Sequence, residues 1–316
     1  MSLASSSMKK MLAFSRGCSG STTMINNCRR HGHYVPTILK TISPSSRRGV
    51  SSLSSSSQVP THLIFGANTD VGKTVISAGL VQSSALSASE ASSSASNAIS
   101  TKTVHYIKPL QCGGSDESFV ESHLMTSSST TTTPSDVAAS VVVKTHTLFS
   151  WDTPASPHIA SRIEEYPVSD SEVLDSLSIR LDEISMHNID GNTSSRDDVD
   201  VVVDSIWIET AGGVLSPSSA SPQNNGPQHA SSSVSTSTSS TLSWGWSTQG
   251  DLYVPLAKHR HIPVVLVGDG RLGGISATLS SLESLIIRGY EVSGLIILDT
   301  EDFKDNAPAI REYVNR

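Results

Sequence analysis

The sequence predicts an α/β fold with a mostly parallel sheet in three layers, on three observations. The apolar run Thr61–Phe65 leads through a glycine-containing loop, Gly66–Thr74, into Val75–Val81, a run suited to a helix. Four further segments, Val104–Ile107, Val201–Ile208, Ile262–Gly268 and Val292–Leu298, are short and dominated by apolar residues, the pattern of strands buried on both faces. Helical patterns lie between them, and in one of these Val173, Leu177, Leu181 and Ile184 recur on a single face that points to the core.

The first unit is the most informative. Its loop reads Gly66-Ala-Asn-Thr-Asp-Val-Gly-Lys-Thr74, and strand, loop and helix stand in the order of a phosphate-binding loop, which makes the expected fold of the P-loop NTPase type. Gly72 has no Cβ, so backbone can close around an anion, and the amides of Gly72, Lys73 and Thr74 would face it from a helix N-terminus. Lys73 suits the β- and γ-phosphates and the Thr74 hydroxyl suits Mg²⁺. One position departs from the usual spacing: the first glycine would stand at residue 67, which is Ala67, and Gly66 comes one place earlier.

Composition narrows the function. The chain has 316 residues and much of it is rich in serine and threonine, so one folded domain with loose insertions is expected. These insertions are read near 83–101, 126–136, 190–200 and 216–247. A net charge of −7 argues against nucleic-acid binding, and no apolar run is long enough to span a bilayer. The first acidic residue is Asp70, whereas the residues before it include Lys9, Lys10, Arg16, Arg29, Arg30, Lys40, Arg47 and Arg48 among many serines. Residues 1–58 therefore read as an unfolded organellar transit peptide, mitochondrial by its arginines, with a plastid address as the alternative. Cys18 and Cys28 lie in that leader and Cys112 alone in the body, which leaves no disulfide framework or thiolate metal site after cleavage.

The remaining elements follow in order. A helix is expected from Thr74 to about Ser84, then a Ser/Ala connection through Ser83–Thr101. The strand Val104–Ile107 ends in Lys108-Pro109-Leu-Gln-Cys112-Gly-Gly114, and strand carboxyl ends are where ligands gather in open α/β sheets. Lys108 is thus a ligand-site residue or a solvated lysine at a strand end. Asp116, at the head of a predicted helix, is a cap or a metal ligand. Val141–Phe149 reads as a short strand and loop, and Ser156-Pro157 as a helix start in which His158 packs rather than catalyses. The strand ending at Glu209 places an acid where phosphate-loop proteins hold Mg²⁺, directly or through water, and Thr210-Ala-Gly212-Gly213 after it allows close backbone approach. Trp244 and Trp246 anchor or pack at the end of the longest insertion. Gly273 and Gly274, before the helix Ile275–Arg288, form either a carboxylate site or a flexible turn.

Taken together, Gly66–Thr74, Tyr106-Ile-Lys-Pro109, Ser156-Pro-His158, Glu209–Gly213 and Val267–Ser276 resemble the dethiobiotin synthetase family. The Gln-Cys112-Gly after Lys-Pro and the Thr-Leu-Phe149-Ser-Trp before Ser-Pro-His are closest to the synthetase half of the fused eukaryotic enzymes, in which an aminotransferase follows. The resemblance runs from Thr61 to Asp299, interrupted by the serine-rich tracts.

The resemblance implies ATP- and Mg²⁺-dependent reaction of CO₂ with 7,8-diaminononanoate, through a carbamate and a carbamic-phosphoric anhydride, to close a cyclic urea. It implies catalytic Lys73 and Lys108, holding the γ-phosphate and the carbamate, and Mg²⁺ on Thr74, Asp116 and Glu209. ATP would lie against Asp70, Val71, Gly72, Lys73, Thr74, Val75, Asp116, Glu209, Thr210, Ala211 and Gly212. Substrate would meet Thr69, Lys108, Cys112 and Gly213, with its distant carboxylate at Leu272, Gly273, Gly274 and Ile275 across a homodimer interface. Cys112 replaces a hydroxyl, Asp70 a glutamate, and Asp299 an asparagine that reads adenine in bacterial members. The family's closing strand and helix and the aminotransferase are expected to be missing, as in a truncated or monofunctional form.

Two other readings fit the phosphate loop: a regulatory ATPase switch of the partitioning or septum-positioning type, and an inactive truncated synthetase. The switch class usually carries an early loop lysine, where this chain has Asn68 or Thr69. An amidating synthetase of the same superfamily would need a glutaminase domain, which the sequence does not contain.

Overall fold

The computed structural model describes residues 36–39, 59–93, 100–125, 141–186, 200–218, 247–298 and 304–315. Within them lie strands β1 (Pro36–Leu39), β2 (Thr61–Gly66), β3 (Ser100–Cys112), β4 (Val141–Trp151), β5 (Asp200–Gly213), β6 (Val264–Gly268) and β7 (Val292–Leu298). They form one sheet in the order β1-β7-β6-β2-β5-β3-β4, parallel throughout except for the antiparallel pair β1 and β7. The helices are α1 (Lys73–Ser93), α2 (Asp116–Met125), α3 (Pro157–Ile163), α4 (Asp170–Met186), α5 (Gln249–Leu252), α6 (Val254–Arg260), α7 (Gly274–Ile287) and α8 (Asn306–Val314). This is the α/β architecture with a mostly parallel sheet that the strand-like runs predict.

Side chains along β2 alternate between two cores, because successive residues of a strand point to opposite faces. Leu63 and Phe65 join Ile107, Leu110 and the α4 residues Val173, Leu177, Leu181 and Ile184. Ile64 instead joins Ile76 and Val81 of α1, with Val104, Tyr106, Val265 and Val267. Apolar burial on both faces explains why the strands read as continuous runs. The parallel register then brings the carboxyl ends of β2 to β7 to one edge of the sheet: Ile64 stands opposite Glu209, Ile107 opposite Ile208, and Gly66 opposite Val267.

Several expected boundaries are corrected. The first helix runs to Ser93 rather than stopping near Ser84, so the start of the Ser83–Thr101 tract is helical. Alanine favours helix and the packed Ala88 is buried, which outweighs the weaker propensity of serine. At the other end of that tract, β3 begins at Ser100 and pairs with Asp200, so it extends several residues before Val104. The segment read as short strand and loop is one strand, β4, paired with β3 as far as Trp151. Pro36–Leu39, inside the stretch read as an unfolded leader, forms β1 at the sheet edge. A helix that the sequence reading did not place, α8, follows β7. Residues 126–136, 190–199 and 219–246 of the insertions, Trp244, Trp246 and Asp299 lie outside the described residues.

Leu177 is fully buried beneath the sheet, so Leu177→Ala should destabilise the fold by about 2–5 kcal/mol. Denaturant unfolding of both proteins measures this, and a loss under about 1 kcal/mol would place α4 outside the core.

Candidate functional site

The site grows from the carboxyl ends of β2, β3 and β5. The β2 strand stops at Gly66 and α1 begins at Lys73, so the intervening loop turns across the sheet edge. Gly72 has φ +87°, and a Cβ there would collide with Leu298 Cδ1. Asp70 also lies in the left-handed region, at φ +56°, a conformation that aspartate tolerates better than most residues.

The displaced glycine has a visible purpose. A Cβ on Gly66 would come within 2.9 Å of both Cδ and Nζ of Lys73. The lysine thus folds back over the end of β2, and the Asn68 carbonyl oxygen, also 2.9 Å from such a Cβ, is the rigid neighbour that favours glycine there. Lys73 is 8% exposed; burial, with Lys108 nearby, lowers its ammonium to about 8 against the pull of Glu209 and Asp116.

Glu209, fully buried in the carboxyl-terminal half of β5, gathers the other groups. Its Oε1 accepts from Thr74 Oγ1 at 3.0 Å and from Lys108 Nζ at 2.9 Å, and its Oε2 accepts from Tyr106 Oη at 3.0 Å. Lys108 also reaches Asp116 Oδ2 at 2.6 Å and the Thr210 carbonyl at 3.4 Å. Burial favours the neutral form of Glu209, but the Lys108 ammonium, hydrogen bonds and Lys73 outweigh it and hold the carboxyl below its usual range. Burial likewise opposes charge on Lys108, yet Glu209 and Asp116 prevail and raise its ammonium. Burial and the Glu209 charge push the Tyr106 phenol well up, so it stays a donor.

Asp116 had two open readings, and its neighbours separate them. The Ser118 amide donates to Ser115 Oγ at 3.1 Å, so Ser115 caps α2 and Asp116 turns inward to Lys108. Two carboxylates thus meet a single ammonium, and the Thr74 hydroxyl shares Glu209 Oε1 with it. That oxygen donor set suits Mg²⁺, which commonly takes one or two carboxylates, waters and phosphate oxygens. Among the described residues no group of three or more His, Cys, Asp and Glu gathers for a metal, and Glu209, Asp116 and the Thr74 hydroxyl are the residues here that could hold one.

The other expected site residues separate by location. Thr210 Oγ1 donates to the Ile64 carbonyl at 3.1 Å, binding β5 to β2 behind the loop. Ala211 is buried, Gly212 has φ +62°, and the Gly213 amide donates to Ser216 Oγ at 2.9 Å. A Cβ at Gly213 would lie 3.3 Å from Asn68 Cα, so this glycine lets the two loops meet. Val71 is core, Val75 half-buried and Thr69 exposed. Cys112 is half-buried at the end of β3, and burial pushes its thiol up to about 11, which leaves it neutral and a weak hydrogen-bond partner. Leu272 is 84% exposed and Ile275 is also exposed, so their side chains stay outside the Glu209 cluster. Gly273, at φ +82°, precedes α7, and Gly274 begins it with no room for a Cβ against the Asp269 carbonyl. His158 packs in the first turn of α3, with Ser156 at the N-cap position and Pro157 next, though Ser156 makes no side-chain cap bond.

Two contributors are absent from the sequence reading. Tyr106 looks like one more strand residue, although the strand period of two sets it on the face of Lys108. Arg271 donates to Asp269 and to the Thr69 carbonyl at 2.9 Å, joining loops about 200 residues apart in sequence.

No family model matches the chain. Sequence relatives do. Over 281 residues it is 34% identical to the mitochondrial bifunctional dethiobiotin synthetase/7,8-diamino-pelargonic acid aminotransferase of Oryza sativa subsp. japonica, covering 76% of this chain and 28% of the relative. It is 30% identical over 253 residues to the bifunctional dethiobiotin synthetase/adenosylmethionine-8-amino-7-oxononanoate aminotransferase of Emericella nidulans, covering 80% and 23%. The match to the ATP-dependent dethiobiotin synthetase BioD of Neorickettsia sennetsu is 29% over 267 residues, covering 79% of this chain and 81% of the relative. The chain spans about a quarter of the length of the fused relatives and most of the length of the dedicated one. Over most of its length this chain is a homologue of the dethiobiotin synthetases, fused and dedicated alike.

Proposed function

We propose that this chain is a dethiobiotin synthase of biotin biosynthesis, acting on ATP, CO₂ and 7,8-diaminononanoate. The observation that carries the reading is Lys108, buried to 4% exposure between Glu209 and Asp116 and beside Thr74 of the phosphate loop. A buried ammonium there is a ready partner for an incoming anion.

One substrate amine adds to CO₂ and loses a proton, giving a carbamate. A carbamate oxygen attacks the γ-phosphorus as the bond to ADP breaks. The second amine then attacks the carbonyl carbon, the carbon–oxygen bond to phosphate breaks, and the ring nitrogen loses its proton. In this reading Lys73 neutralises the β- and γ-phosphates, and Lys108 exchanges a carboxylate partner for the carbamate, orienting it. Thr74, Glu209 and Asp116 would hold Mg²⁺, which offsets phosphate charge when bound. Cys112, Thr69 and Gly213 would border the substrate, and Leu272–Ile275 would receive its carboxylate from a partner copy in a homodimer.

The plant relatives are named mitochondrial, which together with the acid-free basic stretch before Asp70 supports a mitochondrial matrix location. The fused relatives support an aminotransferase as covalent or separate partner, whose diamine product this chain would consume.

The test is incubation of the full chain with ATP, Mg²⁺, bicarbonate and 7,8-diaminononanoate. Phosphate release that depends on the diamine, with dethiobiotin detected by mass, is expected. Hydrolysis indifferent to the diamine would favour a nucleotide switch, and ATP binding without turnover an inactive synthetase. A second prediction concerns pH. Phosphate should raise the Lys73 ammonium from about 8 in the free protein, so binding takes up a proton above that pH. ATP affinity should therefore be full below pH 8 and fall as pH rises through it. Calorimetry at pH 8.5 in two buffers of different ionisation enthalpy should show most of one proton taken up; none would mean that Lys73 does not meet the phosphates.

A further inference from the structure

We propose that Arg271 is a positioning residue that holds the phosphate loop in its nucleotide-receiving conformation by way of Asp269. This inference rests on the nucleotide-binding reading of Gly66–Thr74 and adds a part of the machinery that lies outside that segment.

The phosphate loop contains an exposed stretch, Asn68-Thr69-Asp70, in which Asp70 holds a left-handed backbone. Such a conformation persists in a non-glycine residue only where its surroundings enforce it. The neighbouring loop after β6 supplies that enforcement. Asp269 is buried, and both of its oxygens are engaged: Arg271 Nε donates to Oδ1 and Nη2 to Oδ2, each at 2.9 Å. The same Nη2 donates to the Thr69 carbonyl at 2.9 Å, and Asn68 Nδ2 reaches Asp269 Oδ2 at 3.4 Å. The loop that carries the clamp is itself fixed, because Asn306 of α8 donates to the Arg271 carbonyl at 2.8 Å.

A planar guanidinium can serve a carboxylate with two parallel bonds and still present a third hydrogen to a carbonyl. A lysine ammonium at this place has no such fork. The clamp ties the bend at Thr69 to the loop that opens α7, so the phosphate loop keeps its shape without a ligand to order it. Removing the clamp should leave the folded core and release the loop.

The experiment measures Mg·ATP affinity by calorimetry in the full chain for wild type, Arg271→Met, Arg271→Lys, Asp269→Asn and the double variant Arg271→Met/Asp269→Asn. Arg271→Met should weaken binding about tenfold, with Arg271→Lys only partly restoring it. Asp269→Asn should weaken binding by a similar factor. The double variant should be no weaker than the weaker single, since both break one clamp. Amide exchange across residues 69–72 should accelerate in Arg271→Met while exchange in β5 and β6 is unchanged, which separates loop release from loss of fold.

Unchanged affinity in Arg271→Met would overturn the proposal. So would full additivity in the double variant, which would mean that Arg271 touches nucleotide without Asp269. The readout is nucleotide affinity, so wild-type protein that binds ATP but makes no dethiobiotin refutes the proposed reaction and leaves this inference standing.

Discussion

A carboxylate buried in β5, beside the central strand, sets the terms for the whole site. Glu209 has no exposure to water, and an ionised carboxylate in such a place is tolerated only when paired and hydrogen-bonded. It therefore has to draw the Tyr106 hydroxyl, the Thr74 hydroxyl and the Lys108 ammonium to itself. Three elements are fixed by that demand: β3 through Tyr106 and Lys108, the first turn of α1 through Thr74, and α2 through Asp116 on the far side of Lys108. Breaking such a buried pair by deleting one partner typically costs about 3–5 kcal/mol, which is ample to enforce the arrangement.

The same demand readies the site for chemistry. Burial, and after it the Lys108 ammonium, make the Lys73 ammonium easier to deprotonate, while Glu209 and Asp116 pull the other way. Of the two lysines, Lys108 already has two carboxylate partners, whereas Lys73 is buried with no carboxylate in direct contact among the described ion pairs, and an anionic ligand would favour its charged form. In the proposed reaction the triphosphate and the carbamate supply that anionic charge. The protein's work is then positioning and neutralisation, which is what phosphoryl transfer requires of it.

How far the sequence discloses this arrangement depends on how local each requirement is. The strand, loop and helix around Gly66–Thr74 are legible because they are contiguous in the chain. Lys108 and Glu209 are legible because each closes an apolar run, and parallel strands bring their carboxyl ends together. Asp116 is ambiguous from spacing alone, because the capping bond that one reading gives it belongs to its neighbour Ser115. Arg271 was not legible at all: its partner carbonyl at Thr69 belongs to another loop, and no spacing in the chain announces the contact. The long α1 was missed for a different reason. Its serines resemble a connection by composition, while its helical state depends on packing against the sheet that composition does not record. The displaced Gly66 looked like a flaw in the motif and turns out to be the space into which Lys73 folds.

The most direct measurement of the Glu209-centred account is the Mg²⁺ dependence of ATP binding in Glu209→Gln, a substitution that keeps shape and removes charge. The account predicts that Mg²⁺ no longer strengthens ATP binding by its wild-type factor, a loss of about tenfold or more, while binding without Mg²⁺ is equal or tighter because a negative charge has left the phosphate site. Unchanged Mg²⁺ dependence would contradict it, and would leave Glu209 as a structural partner of Lys108 alone.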